Sequence, residues 1–396
     1  MKIVLIAPTY LPALRANTIQ VMKMAQAMVS LGHDLRVLVP LGDVEHDQLT
    51  WDDLAHHYGL RWRFEIEWLP TDHRLRSYDY GLKSVNRAQK LGADLIYTRL
   101  PQSAALASLM GIPSIYEIHD LPQGRMGPWM LMRFLKGRGA RALVVITAAL
   151  RDAVTERYGK LLNNRKESPL PIIVEPDGVD LARYQNIPTP QQARKALSFS
   201  LSLQSSSFVA GYTGHLYPGR GSDLILDIAG QLPGINFMLV GGETADVSRV
   251  RQKIKNLGLK NITLTGFIPN ADLPQYQAAC DILLMPYQRR VTASSGGDIA
   301  RYLSPMKLFE YMACGRAIIS SDLPVLQEIL NDENAVLLPP DDLTSWVTAI
   351  QDLRTNSDIR AQRATQAQQD AQQYSWNARA HKIITVIQDD SQIANH

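Results

Sequence analysis

Three stretches of the sequence place charged side chains beside glycines or helix starts, where they could meet a ligand. In Gly214-His215-Leu216-Tyr217-Pro218-Gly219-Arg220-Gly221 the glycines let the backbone approach closely. A helix expected from Ser222 would offer its first N–H groups to an anion, and Arg220 adds a bidentate phosphate donor. The spacing is neither G-x-G-x-x-G nor a Walker A loop, which argues against dinucleotide and ATP sites. A tight strand-to-helix turn with a surface arginine accounts for this segment equally well.

The second stretch runs Ser304-Pro305-Met306-Lys307-Leu308-Phe309-Glu310, ending at Gly315. Pro305 permits a helix to start near Met306 and aim its amides, with Lys307, at an anion. Glu310, one turn on, could accept hydrogen bonds from a ribose diol. The competing reading is a surface carboxylate that favours the helix dipole. The third stretch, Tyr116-Glu117-Ile118-His119-Asp120, closes an expected parallel strand, where open α/β sheets present residues to ligands. No His, Cys, Asp or Glu spacing suggests a metal site. Ser294-Ser295-Gly296-Gly297 lacks the G-x-S-x-G of a serine hydrolase.

The elements that must hold these residues follow from hydrophobic periodicity. Short β-branched runs alternate with longer helical patterns, which predicts parallel sheets with crossover helices. Strands are expected at 3–7, 35–39, 94–98, 114–118, 143–147 and 172–175, then again at 208–213, 236–240, 261–265, 281–285, 317–320 and 335–338. Asn17 is expected to cap a first helix that Gly32 ends. Asp177-Gly178, Pro188, Pro190 and the serine-rich 197–207 mark a break. The domains are therefore drawn as 1–182 and 183–375. The tail 376–396 is amphipathic, with Trp376, Ala380, Ile383, Ile384 and Ile387 along one side.

Composition sets the outer limits. A chain of 396 residues, 45% hydrophobic and 20% charged, suits two ordinary globular domains. Cys280 and Cys314 make no disulfide framework, so a reducing cytoplasmic setting is expected. The opening apolar run stops at Pro8, too soon for a signal peptide. A net charge of +3, from 41 basic and 38 acidic residues, argues against a nucleic-acid binder. The charge is locally biased, however. Arg125, Arg133, Lys136, Arg138, Arg141 and Arg151 fall between Asp120 and Asp152 with no acidic residue among them. From Gly124 to Arg141 the basic residues interleave with Met126, Trp129, Met132 and Phe134. That pattern fits an element lying on an anionic membrane, or a core-packed helix with a solvated rim.

Taken together, the motifs resemble those of the family 4 glycosyltransferases. The opening strand and helix to Gly32-His33-Asp34 are similar to the family's first unit, and Ile146-Thr147-Ala148-Ala149-Leu150-Arg151 resembles its "S-x-x-L-R" helix start. Pro176-Asp177-Gly178-Val179-Asp180 resembles "P-N-G-V-D", and Gly214 to Gly221 resembles "G-R-L-x-x-x-K-G". Pro305 to Gly315 resembles "E-A-M-A-x-G", and Tyr374-Ser375-Trp376 the terminal "F-S-W". Their order holds across nearly the whole chain. The chain departs from the pattern in the first loop, where Leu14-Arg15-Ala16-Asn17-Thr18 stands in place of the family's glycine pair, and at three single positions. His215 stands for the family arginine, Arg220 for its lysine, and Tyr302 for the first of two glutamates, of which Glu310 is the second.

The resemblance implies the GT-B fold, two Rossmann-like α/β domains facing each other across a cleft, with the C-terminal helix returning to the N-terminal domain. It implies retaining transfer of a sugar from a UDP- or GDP-sugar to a lipid-linked, polysaccharide or small-molecule acceptor, with no metal and no cofactor. On this resemblance Arg220 and Lys307 stabilise the leaving diphosphate and His119 contacts the donor sugar. Gly214, His215, Gly219, Met306, Leu308 and Glu310 complete the donor site, and Arg15 and Asn17 line the first loop. A cytoplasmic protein is expected, peripheral on the inner face of the membrane where residues 124–141 engage it. The competing functions are a nucleotide-sugar 2-epimerase of the same fold and a non-catalytic nucleotide-sugar-binding subunit.

Overall fold

The computed structural model describes residues 1–42, 49–72, 74, 78–165, 169–197, 207–292 and 297–393, with 388–393 as backbone alone. Most of the serine-rich break at 197–207 lies outside the described residues, as do Ser294, Ser295 and Gly296.

Strands β1 (Lys2–Ile6), β2 (Asp34–Pro40), β3 (Glu65–Leu69), β4 (Leu95–Thr98), β5 (Ser114–Ile118), β6 (Ala140–Val145) and β7 (Ile172–Val174) form one sheet. Its order is β3-β2-β1-β4-β5-β6-β7, and every pairing is parallel. Strands β8 (Val209–Thr213), β9 (Asn236–Val240), β10 (Ile262–Gly266), β11 (Ile282–Met285), β12 (Ala317–Ser321) and β13 (Val336–Leu338) form a second, also parallel. Its order is β10-β9-β8-β11-β12-β13. Each sheet winds outward in both directions from its first strand. The connections therefore part at β1/β4 and at β8/β11, the switch points where open α/β sheets receive ligands.

Most strands read as unbroken apolar runs because helices cover both faces. Val4, Ile6, Leu38 and Ile96 share a buried cluster with Tyr80, Val85 and Ala107 from the covering helices. Full burial of one large apolar side chain contributes about 1.5–3 kcal/mol. The strand that carries no apolar run is β3, Glu65-Ile66-Glu67-Trp68-Leu69, which the sequence pattern does not predict. It is an edge strand, and Glu67 is held by Arg36 at 3.1 Å and Arg87 at 2.6 Å, so charge alternates with apolar residues there.

The chain divides into two compact units, Met1–Asp177 with Trp376–His396, and Gly178–Ser375. Residues 178–182, grouped by sequence with the first domain, belong to the second unit. There Val179 donates its N–H to the Tyr374 carbonyl at 2.9 Å. In the first unit the helix Ala16–Ser30 is capped by Arg15 in extended geometry, not by Asn17. Asn17 sits inside the first turn because the N–H groups of Thr18 and Ile19 already fold back on the Arg15 carbonyl. Gly32, at φ +84°, does end the helix. The terminal helix Trp376–Ile393 packs against Ala16–Ser30, burying Trp376, Ala380, Ile383 and Ile384.

The helix Met126–Lys136 divides its faces. Met130, Leu131, Phe134 and Leu135 enter the core, while Met126, Trp129 and Met132 stay exposed. Among the described residues no helix is long and apolar enough to cross a membrane.

Candidate active site

The second unit gathers its candidate residues at the β8/β11 switch point. Strand β8 delivers the loop Gly214 to Gly221, and the helix Ser222–Gln231 follows. The loop lies flush against the chain leaving β11. A Cβ on Gly219 would stand 2.0 Å from the Arg290 carbonyl oxygen, and one on Gly221 the same distance from that of Pro286. Both have φ in the left-handed region, so only glycine fits without strain.

Two cations face this loop. The helix Met306–Cys314 starts after Pro305, as its sequence predicts, and carries Lys307 in its first turn. The Lys307 Nζ is buried, has no hydrogen-bond partner among the described residues and lies 3.7 Å from the ring centroid of Tyr212. Arg220 lies over Tyr287 at 5.6 Å and donates to that hydroxyl at 3.3 Å, while its buried Nε has no partner among the described residues. Burial, then Arg220, hold the Lys307 ammonium well below its usual pKa. Burial opposes the Arg220 charge as well, but Tyr287 and Tyr212 outweigh it and the guanidinium is raised.

His215 stacks on Tyr217 with ring centroids 4.7 Å apart and planes within 5°. The Tyr217 hydroxyl donates to Glu243 at 2.5 Å. Burial pushes the imidazole pKa down to about 4, and Arg220 adds to the effect. His215 is therefore neutral at pH 7, with a buried Nδ1 that has no partner among the described residues. Glu310 is nearly buried, and its Oε2 accepts from Gln277 Nε2 at 3.2 Å. Gln277 is fixed in turn by the Tyr184 hydroxyl at 2.8 Å. Met306 is half-buried; Leu308 puts its side chain into the core and donates its N–H to the Pro305 carbonyl at 2.9 Å. Tyr302 is buried at the end of a short 3₁₀ turn.

The first unit holds a separate charged cluster below His119, just beyond β5. His119 Nε2 lies 2.5 Å from Glu117 Oε1, and that carboxylate also receives Gln20 Nε2 at 2.7 Å, the Tyr97 hydroxyl, and Arg379 at 3.0 Å. Burial works against the Glu117 charge, yet Arg379 and His119 bring its pKa below the usual value. Burial, then Arg99, push His119 down to about 4. Asp177 shares the site, and burial raises it to about 7. Ligand atoms of Glu117, His119 and Asp177 lie within 4.8 Å of one another. The cation already seated there is a guanidinium. Arg15 is exposed at the helix start, and Asn17 is half-buried beside Thr18.

Sequence reasoning did not single out Arg99, Arg379, Gln20, Tyr97 or the tyrosines that carry the two cations. The only available signal was Glu117, two residues from His119 on a buried strand.

Comparison with known proteins places this geometry in context. A model of glycosyltransferase family 4 matches residues 18–183, and one of glycosyl transferases group 1 matches residues 207–356. The chain is 24% identical over 264 residues to a D-inositol 3-phosphate glycosyltransferase from Jonesia denitrificans, covering 63% of this chain and 59% of that protein's length. Among solved structures, Anabaena HepE in complex with UDP superposes with a TM-score of 0.71 at 19% identity, covering 98% of this chain and all of that one. Sucrose-phosphate synthase from Thermosynechococcus elongatus gives 0.74 at 16% identity, covering 99% and 100%. At such identities the superpositions speak to fold, and the fold is GT-B. With the two family models spanning most of both units, the chain belongs to the family 4 glycosyltransferases.

Proposed function

We propose that this protein transfers a sugar from a nucleoside diphosphate sugar to an acceptor hydroxyl. The observation that carries the reading is the set of buried nitrogens on Lys307, Arg220 and His215 that have no partner among the described residues. A diphosphate supplies the oxygens they lack. Glu310, held from behind by Gln277, keeps its second oxygen for a ribose diol. HepE, similar in fold, is bound to UDP, which favours a UDP donor.

Breaking the bond between the anomeric carbon and the phosphate oxygen leaves the electron pair, and its charge, on the diphosphate. Lys307 and Arg220 would stabilise that charge in a site screened from water, where such donors act most strongly. Arrival of the acceptor on the same face, with its proton passing to the departing phosphate oxygen, balances the step and retains configuration. No side-chain base is required.

The exposed face of Met126–Lys136 supports a lipid-linked acceptor. Trp129 carries Arg133 at 5.0 Å, and the flanking cations have no acidic residue among them in sequence. Such a face suits an anionic bilayer surface.

Nucleotide release from a panel of UDP- and GDP-sugars, with and without lipid extract, tests the reading. Release from one donor, accelerated by extract, is the expected result. Nucleotide binding without transfer would favour the epimerase, if the sugar changes configuration, or the non-catalytic subunit, if it does not.

A further inference from the structure

We infer that Glu117 and Arg379 are positioning residues that fix the tautomer and orientation of His119, so that its Nδ1 faces the substrate as a hydrogen-bond acceptor. The inference rests on the reading of His119 as a sugar-contacting group.

The geometry begins with the carboxylate. Glu117 is fully buried and surrounded by donors: Gln20 Nε2, the Tyr97 hydroxyl and Arg379 Nη2. An ionised carboxylate can only accept. The fourth partner, His119 Nε2 at 2.5 Å, must therefore carry the proton in that contact. In the neutral ring this leaves Nδ1 with its lone pair. The His119 side chain is 22% exposed whereas Glu117 is fully covered, so the ring is held from its buried end and open at the other.

Arg379 keeps the carboxylate in place and in charge. It lies on the terminal helix, whose sequence gives no hint of a site. Its guanidinium is 2% exposed and reaches four groups besides Glu117. It donates to the Pro176 carbonyl at 2.8 Å, the Glu175 carbonyl at 3.3 Å, the Tyr97 hydroxyl at 3.4 Å and Met24 Sδ at 3.4 Å. The side chain of Gln20 is oriented as well, because its Oε1 accepts from Arg99 at 3.0 Å and so turns its amide nitrogen to Glu117. The three donors other than His119 are thus each fixed by a second contact. A network that only stabilised the fold would have no reason to end on a part-exposed imidazole.

The test reads His119 directly. Two-bond ¹H–¹⁵N spectra of the full-length protein at neutral pH, with the ring assigned by its loss in His119→Asn, report which nitrogen bears the proton. A single Nε2–H tautomer is expected in the wild type; an Nδ1–H tautomer, or a mixture of both, overturns the inference with no variant needed. In Glu117→Gln, which keeps size and position, the second tautomer should appear. The kcat should fall on the order of 10²-fold, as for a misplaced group, with donor KM little changed. Arg379→Met, which removes the guanidinium that holds the carboxylate, should likewise admit the second tautomer and lower kcat. If Glu117→Gln folds, as judged by its other histidine signals, and keeps both tautomer and kcat, the positioning role is wrong. If the wild type shows the expected tautomer but transfers no sugar, the failure lies with the assigned reaction and not with the positioning.

Discussion

Lys307 and Tyr212 form a buried contact in which the ammonium lies 3.7 Å from the ring centroid. The Glu310 carboxylate favours its charge, but burial and Arg220 outweigh that contribution. Tyr287 serves Lys307 at 5.4 Å and Arg220 at 5.6 Å, so one ring is shared by two cations. A ring face attracts a cation through its quadrupole but carries no net charge. Both cations are therefore held in place yet left available to an anion. A salt bridge would have occupied them.

The first consequence concerns turnover. Arg220→Ala and Lys307→Ala should each lower kcat by about 10²–10³-fold, the usual loss for one donor to developing charge. Steady-state kinetics with the donor identified by nucleotide release would show it. Undiminished kcat in either variant removes that residue from the catalytic step.

Nucleotide binding should take up protons. Burial and Arg220 hold Lys307 well below its usual pKa in the free protein. A bound diphosphate supplies further counter-charge and raises that pKa, so protons are drawn from solution at pH values between the free and the bound pKa. Calorimetry of UDP binding in buffers of different ionisation enthalpy would give a positive uptake, which Lys307→Met should abolish.

Asp177 should make stability fall with rising pH. Burial lifts its carboxyl from 3.8 to about 7 against the pull of Arg379. A carboxyl raised on folding contributes its full stability below the unfolded pKa and loses it as pH climbs through the folded value. Asp177→Asn should therefore gain on the wild type across that window, by at most about 1.4 kcal/mol per pH unit. Denaturant titrations at several pH values would reveal the widening gap; a difference independent of pH contradicts the assignment.

The loop glycines are expected to be irreplaceable for packing. Gly221→Ala sets a Cβ 2.0 Å from the Pro286 carbonyl oxygen at φ +89°. The cost should be about 1–3 kcal/mol, read as a lower denaturation midpoint, with weaker UDP binding as the loop moves away from Lys307. Gly258→Ala has a left-handed φ but open space around its Cβ, and is the milder control.

For the exposed helix face, co-flotation with anionic vesicles is expected and should weaken in Trp129→Ser/Arg133→Glu. Near such a surface each cation contributes about 1 kcal/mol. Equal recovery from neutral and anionic vesicles would exclude an electrostatic contact.

Much of this protein is legible along the chain because much of it is local. A parallel strand buried on both faces must be an apolar run, and a helix leaving a glycine loop must begin where the apolar period begins. Periodicity therefore locates β8, the loop to Gly221 and the start of the Met306–Cys314 helix. It fails at β3, where an edge strand needs only one apolar face, and at Asn17, where Arg15 supplies the cap through backbone geometry alone. Residue type also marks Lys307, Arg220 and His119 as able to meet a charged or hydroxylated ligand. What those groups meet inside the protein is another matter. Tyr97 and Arg379 touch across 282 positions, and Arg379 lies in a helix whose visible pattern concerns only packing. Removal from water is what turns such neighbours into determinants: it lowers Lys307, raises Asp177 and makes Glu117 depend on Arg379. Burial is a property of the folded chain, and for that reason the charge state of the site and the orientation of His119 are decided only by the tertiary structure.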